Sequence, residues 1–156
     1  MPRTLLIVDD IFTNREILKK ILGAEYKIVE AANGEEALAV LRGAHSTLSA
    51  VLLDLSMPVM DGFEVLEHIR ADDRLRQIPV IVATGTTEAE SEVKALSLGA
   101  NDYITKPYNA TIIRQRIRNT INLRETAATV NALQRDKVTG LYTREVFFEK
   151  VEEMIA

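Results

Sequence analysis

The chain has 156 residues, of which 47% are hydrophobic and 27% charged, with no Cys, no Trp and a formal net charge of −4. That length holds one domain of ordinary size plus an appendage, and the lack of cysteine excludes a disulfide framework and fits a reducing cytoplasm. Residues 1–112 carry 11 Lys/Arg against 17 Asp/Glu, while residues 113–156 carry 8 against 6; the acidic excess of the first part favours a cation site and argues against nucleic acid.

The apolar run Leu5–Val8 ends at Asp9-Asp10. It is too short for a signal peptide or a membrane span, and reads as a buried strand with polar groups at its carboxyl end. Thr13 and Glu16 stand at capping-box spacing, and Ile17, Leu18, Ile21 and Leu22 form a helical stripe that stops at Gly23. A strand over 26–31, a helix over 34–42 with Asn33 as N-cap, a strand over 50–54 and a helix over 62–70 follow. A strand over 80–83 after Pro79, a helix over 88–98 ended by Gly99, a strand over 102–104 and a helix opened by Asn109 make five β-α units. Such alternation predicts an α/β, doubly wound, five-stranded parallel sheet in the order 2-1-3-4-5. The last helical pattern meets no Gly or Pro from Ala110 to Gln134, which predicts an extended C-terminal helix.

Ligands of an open α/β sheet bind beyond the carboxyl ends of its strands, where Asp9, Asp10, Asp54, Thr84 and Lys106 all fall. Unit negative charges about 4 Å apart repel by roughly 4 kcal/mol at an effective dielectric near 20, so three carboxylates there require a cation. Oxygen-only donors without His or Cys suit Mg²⁺. Lys106 can reach a phosphoryl oxygen as a point charge and the Thr84 hydroxyl can donate to another, with Asp54 as the central acceptor. His45 and His68 lack partners at metal-ligand spacing and are expected at the surface.

In this order the residues resemble the response-regulator receiver family: Asp9-Asp10 after the first strand, Asp54 in LLDLSMPVMDG, Thr84 ending IVAT, and Lys106-Pro107 in GANDYITKP. The resemblance spans residues 3 to about 122 and implies a flavodoxin-like receiver fold. It implies that Asp54 accepts a phosphoryl group from a histidine kinase or phosphotransfer protein. It further implies that Asp10, Asp54 and the Ser56 carbonyl ligate Mg²⁺, that Asp9 acts through the metal's water shell, that Thr84 and Tyr103 form the switch, and that the Lys106-Pro107 peptide is cis. Other readings differ in class. An aspartyl phosphatase places its nucleophile after the first strand, a flavin module needs a hydroxyl-rich phosphate loop, and a phosphorylation-independent interaction module keeps the fold without the chemistry.

The stretch Arg135–Lys150 resembles the start of a GGDEF-type diguanylate cyclase domain, through Asp136, Thr139, Gly140, Leu141 and Arg144. The expected organisation is a receiver over 1–122, a helical linker over 123–135 and a truncated cyclase start over 136–156. No signature loop for cyclase chemistry occurs before Ala156, so the chain as it stands is expected not to be an enzyme. Arg114, Arg116, Arg118 and Arg124 read as a solvated helix face. The linker pattern suggests a homodimer through the end of the receiver and the linker helix.

Overall fold

The structure, a computed structural model, describes the backbone of residues 3–85 and 89–139 and the side chains of 3–85 and 90–126. The elements are β1 (Arg3–Val8), α1 (Phe12–Leu22), β2 (Tyr26–Ala31), α2 (Gly34–Ala44), β3 (Leu48–Asp54), α3 (Gly62–Ala71), β4 (Val80–Thr84), α4 (Ala89–Ser97), β5 (Asp102–Thr105) and α5 (Ala110–Thr139). All strand pairs are parallel, and the sheet order is β2-β1-β3-β4-β5. The chain divides into two compact units, Met1–Ile121 and Asn122–Ala156. The cyclase-like stretch from Gly140 onward lies outside the described residues.

Side-chain alternation along the central strands builds a core on each face. Leu6, Val8, Val51, Leu53, Val80 and Val82 pack with α2, α3 and α4. Leu5, Ile7, Ala50, Leu52, Ile81 and Ala83 pack with Leu18 and Leu22 of α1 and with Ile113, Ile117 and Ile121 of α5. Both faces being covered explains why these strands read as continuous apolar runs.

The helix starts show what a pattern can and cannot reveal. Asn33 caps α2 by accepting from Glu36 N, as its position predicts. The capping box expected at Thr13 and Glu16 does not form: α1 begins at Phe12, its N-cap is Ile11, and no side chain caps it. Asp9 causes the difference, because its Oδ1 accepts from Ile11 N at 2.9 Å and turns the chain into the helix earlier. A capping box instead opens α3, between Asp61 and Glu64. Ile17, expected on the buried stripe of α1, is 46% exposed, since Leu18 and Leu22 alone face the sheet squarely. His68 is exposed, whereas His45, expected at the surface, is half-buried at the end of α2.

Gly62 fixes how α3 leaves the sheet. It is buried, its N–H donates to Leu55 O at 3.0 Å, and a Cβ there would lie 2.5 Å from Asp54 O and 2.8 Å from Leu55 Cα. Both obstacles are backbone, so relief requires moving the strand end that carries Asp54. We expect Gly62→Ala to cost about 1 to 3 kcal/mol, measured as a lower midpoint in urea unfolding.

Candidate functional site

Strand register places the site. Val8 pairs with Leu53, Asp54 with Ala83, and Thr84 with Thr105, so β1, β3, β4 and β5 end at nearly the same level. The residues at those ends are Asp9 and Asp10, Asp54, Thr84, and Lys106. Asp9, Asp10 and Asp54 each offer a carboxylate oxygen, all within 4.8 Å of one another, with Asp9 and Asp54 buried and Asp10 exposed. At that spacing each pair of charges repels by roughly 3 to 4 kcal/mol at an effective dielectric near 20. The donor set is hard oxygen without His or Cys, which fits a divalent cation of the Mg²⁺ type.

Asp54 closes β3, and its Oδ1 accepts from Lys106 Nζ at 3.2 Å and from Ser56 N at 3.4 Å. Among the described residues these bonds fall on one oxygen, which leaves Oδ2 open to the site. Lys106 follows β5 and has its own N–H bonded to Thr84 O at 2.8 Å; the Lys106-Pro107 peptide is cis. The Thr84 hydroxyl, 1% exposed as a residue, lies 3.2 Å from Glu92 Oε2 on α4 and 3.5 Å from Ile104 O. Tyr103 is half-buried, its ring under the Arg116 guanidinium at 5.5 Å. Arg116 also donates to Tyr103 O and Asp102 Oδ1.

Several site residues escaped the pattern. Asn14 Nδ2 and Tyr108 Oη donate to Asp9 Oδ2 at 3.2 and 3.4 Å, and Arg15 Nη1 donates to Asp9 O at 2.7 Å. Burial first, then the charges of Asp9 and Asp54, push the Tyr108 phenol far up, so it stays a donor. Glu92 belongs to the same group through Thr84. The only sequence signal for Asn14 and Arg15 is their place one to two turns after Asp9. Val59, at φ 71 and 72% exposed, puts a β-branched side chain in a left-handed conformation in the loop after β3.

A family model described as the response regulator receiver domain matches residues 5–118. The chain is 33% identical over 115 residues to the chemotaxis protein CheY of Pseudomonas aeruginosa, covering 72% of this chain and 91% of CheY. It is 38% identical over 114 residues to a Vibrio cholerae protein named a probable cyclic di-GMP phosphodiesterase, covering 73% of this chain and 25% of that one. A crystal structure of a response regulator from Chloroflexus aurantiacus superposes with a TM-score of 0.74 at 32% identity, over 78% of this chain and 99% of the other. This chain belongs to the response-regulator receiver family, whose members take phosphoryl groups from histidine kinases in two-component signalling. It spans about half the length of other curated relatives that it matches. Among the described residues no helix is long and apolar enough to cross a membrane.

Burial is the main cause that raises the Asp54 carboxyl above its ordinary value; Lys106 opposes it, Asp9 reinforces it, and the Ser56 N–H opposes it. A carboxyl raised by folding contributes stability in its protonated form, complete below the unfolded pKa and lost as pH rises through the folded one. In metal-free protein the contribution of Asp54 should therefore fall from about pH 4 upward. Asp54→Asn, which carries no charge, should melt higher than wild type at pH 7, with the gap closing below about pH 4. Thermal melts in chelator at both pH values measure this.

Proposed function

We propose that this chain is the phosphoacceptor receiver of a larger response regulator, with Asp54 as the acceptor and a Mg²⁺ ion held by Asp10, Asp54 and the Ser56 carbonyl. Asp9 would act through the metal's water shell. The observation that carries this reading is the buried Asp54 carboxylate, bonded to Lys106 at 3.2 Å and grouped with two further carboxylates at one sheet edge. An Asp54 oxygen attacks the phosphorus of a phosphohistidine, the P–N bond breaks as the new O–P bond forms, and the imidazole leaves with the bonding electron pair. Mg²⁺ supplies neutralisation of the charge that gathers on the phosphoryl oxygens. Lys106 pairs with one of those oxygens, and the chain's contribution is mainly positioning and charge.

Thr84 then couples chemistry to shape. Its hydroxyl has one proton, which goes either toward Glu92 or to a phosphoryl oxygen. Charged hydrogen bonds are worth about 1.5 to 3 kcal/mol each, so the Thr84 and Lys106 contacts together supply roughly 3 to 6 kcal/mol. Reversing a two-state population from 1:99 to 99:1 needs about 5.5 kcal/mol. Tyr103, paired with Val82 two residues before Thr84, follows as the switch aromatic.

The domain reading is a receiver over 1–122, a helical linker over 123–135 and the start of a GGDEF-type domain over 136–156. A cytoplasmic location and an output tied to cyclic di-GMP accord with it; one relative is itself named for a cyclic di-GMP phosphodiesterase. The isolated chain acts as a switch, with catalysis left to the output domain. Dimerisation through the end of the receiver and the linker helix would carry the signal.

With a small phosphodonor and Mg²⁺, one phosphoryl group should appear in the mass spectrum and be absent from Asp54→Asn. Asp10→Ala should weaken Mg²⁺ binding more than Asp9→Ala, read by calorimetric titration. Thr84→Ala should still be labelled but lose most of the spectral response of α4 and β5. Light scattering should show phosphorylation shifting a monomer-dimer equilibrium toward dimer, and truncation at Asn122 should remove that shift.

A further inference from the structure

Arg15 of α1 reaches back to the site from one helical turn away. Its Nη1 donates to the Asp9 carbonyl at 2.7 Å, and its Nε donates to Glu30 Oε1 at 3.0 Å. The side chain is only 15% exposed, and its guanidinium lies 5.7 Å from the centre of the Phe12 ring. Glu30, near the end of β2, is itself held through its other oxygen by Lys19 Nζ at 3.1 Å. One planar cation thus bridges the end of β1 and the end of β2 with two hydrogen bonds in fixed relative direction, a geometry that lysine cannot reproduce.

The gripped oxygen belongs to the peptide that joins Asp9 to Asp10. That unit is planar, so fixing its carbonyl fixes the Cα of Asp10, the point from which its side chain departs. Asp9 needs little help: its carboxylate is buried and already accepts from Ile11, Asn14 and Tyr108. Asp10 is exposed and depends on its backbone for placement.

We propose that Arg15, oriented by Glu30, is a positioning residue for the cation site, holding the Asp9-Asp10 peptide so that the Asp10 carboxylate meets those of Asp9 and Asp54. This rests on the reading of those carboxylates as a Mg²⁺ site. It makes an unusual demand on sign. Arg15 is a positive charge beside a site for a cation, so by charge alone its removal tightens Mg²⁺ binding; by positioning, its removal weakens it. Arg15→Lys separates the effects further, since it keeps the charge and loses the fork.

The test is calorimetric titration of the full chain with Mg²⁺, alongside melting temperatures in chelator, for wild type, Arg15→Lys, Arg15→Ala, Glu30→Gln and the Arg15→Lys/Glu30→Gln double variant. Residues that orient metal ligands typically alter affinity by about 10- to 100-fold when changed, and we expect at least a 10-fold loss for Arg15→Lys and for Glu30→Gln. The double variant should bind no more weakly than the worse single one, because both changes break one device. Raising Mg²⁺ should restore labelling by a small phosphodonor in every folded variant. Binding by Arg15→Lys within twofold of wild type, or tighter binding by Arg15→Ala, overturns the inference; should Arg15→Ala fail to fold, Arg15→Lys, which keeps the charge, decides. A wild-type chain that takes up no Mg²⁺ overturns the cation-site reading and this inference with it, whereas a wild type that binds beside an equally tight Arg15→Lys overturns this inference alone.

Discussion

Crowding of negative charge at one edge of the sheet is the constraint around which the rest of the molecule is arranged. Asp9 and Asp54 are both nearly buried, and buried carboxylates are costly unless hydrogen bonds or opposite charge offset the loss of water. The apolar parts of β1 and β3 must therefore be stable enough to hold them in place. Leu5 to Val8 and Ala50 to Leu53 are almost completely enclosed, and each Leu or Ile so buried contributes about 1.5 to 3 kcal/mol. Two covered faces thus maintain, at one rim, an arrangement that would separate in a softer scaffold.

Much of this was legible because the signals are one-dimensional. Apolar runs of fixed length, each followed by a polar or charged residue at the strand end, give the order of elements. The parallel crossover rule then gives the sheet order with few alternatives. The five residues at the strand ends converge because register is set by those same runs. What stayed hidden depends on contacts made across the chain. No local pattern foretells that Tyr108 lies against Asp9, 99 positions away, or that Glu92 approaches Thr84. The start of α1 was misread for a related reason: Thr13 and Glu16 satisfy a capping rule, but the Asp9 side chain had already taken Ile11 N. A residue of the site overrode a local preference, and such conflicts are expected where function is built. The cyclase-like stretch is legible as a resemblance, and from Gly140 onward it lies outside the described residues.

The supports of the site are unequal on its two sides, and this asymmetry indicates where a signal can leave. On the β1 side, the Asp9 carboxylate accepts from three groups, its carbonyl from a fourth, and its N–H is bonded to Ala31 O at 3.1 Å. Displacing any of these leaves polar groups unpaired in a buried place, so that side resists change. On the β4 and β5 side the contacts among the described residues are exchangeable. Lys106 holds Asp54 Oδ1 through a flexible stem, and Thr84 directs one hydroxyl proton toward Glu92 at 3.2 Å, or toward Ile104 O at the longer 3.5 Å. Adding a phosphoryl group to Asp54 enlarges the charge at the point those two side chains face and leaves the β1 side with no better arrangement to adopt. On the proposed reading, the elements that carry Thr84, Glu92 and Lys106, namely the end of β4, α4 and the residue after β5, would be the ones to respond.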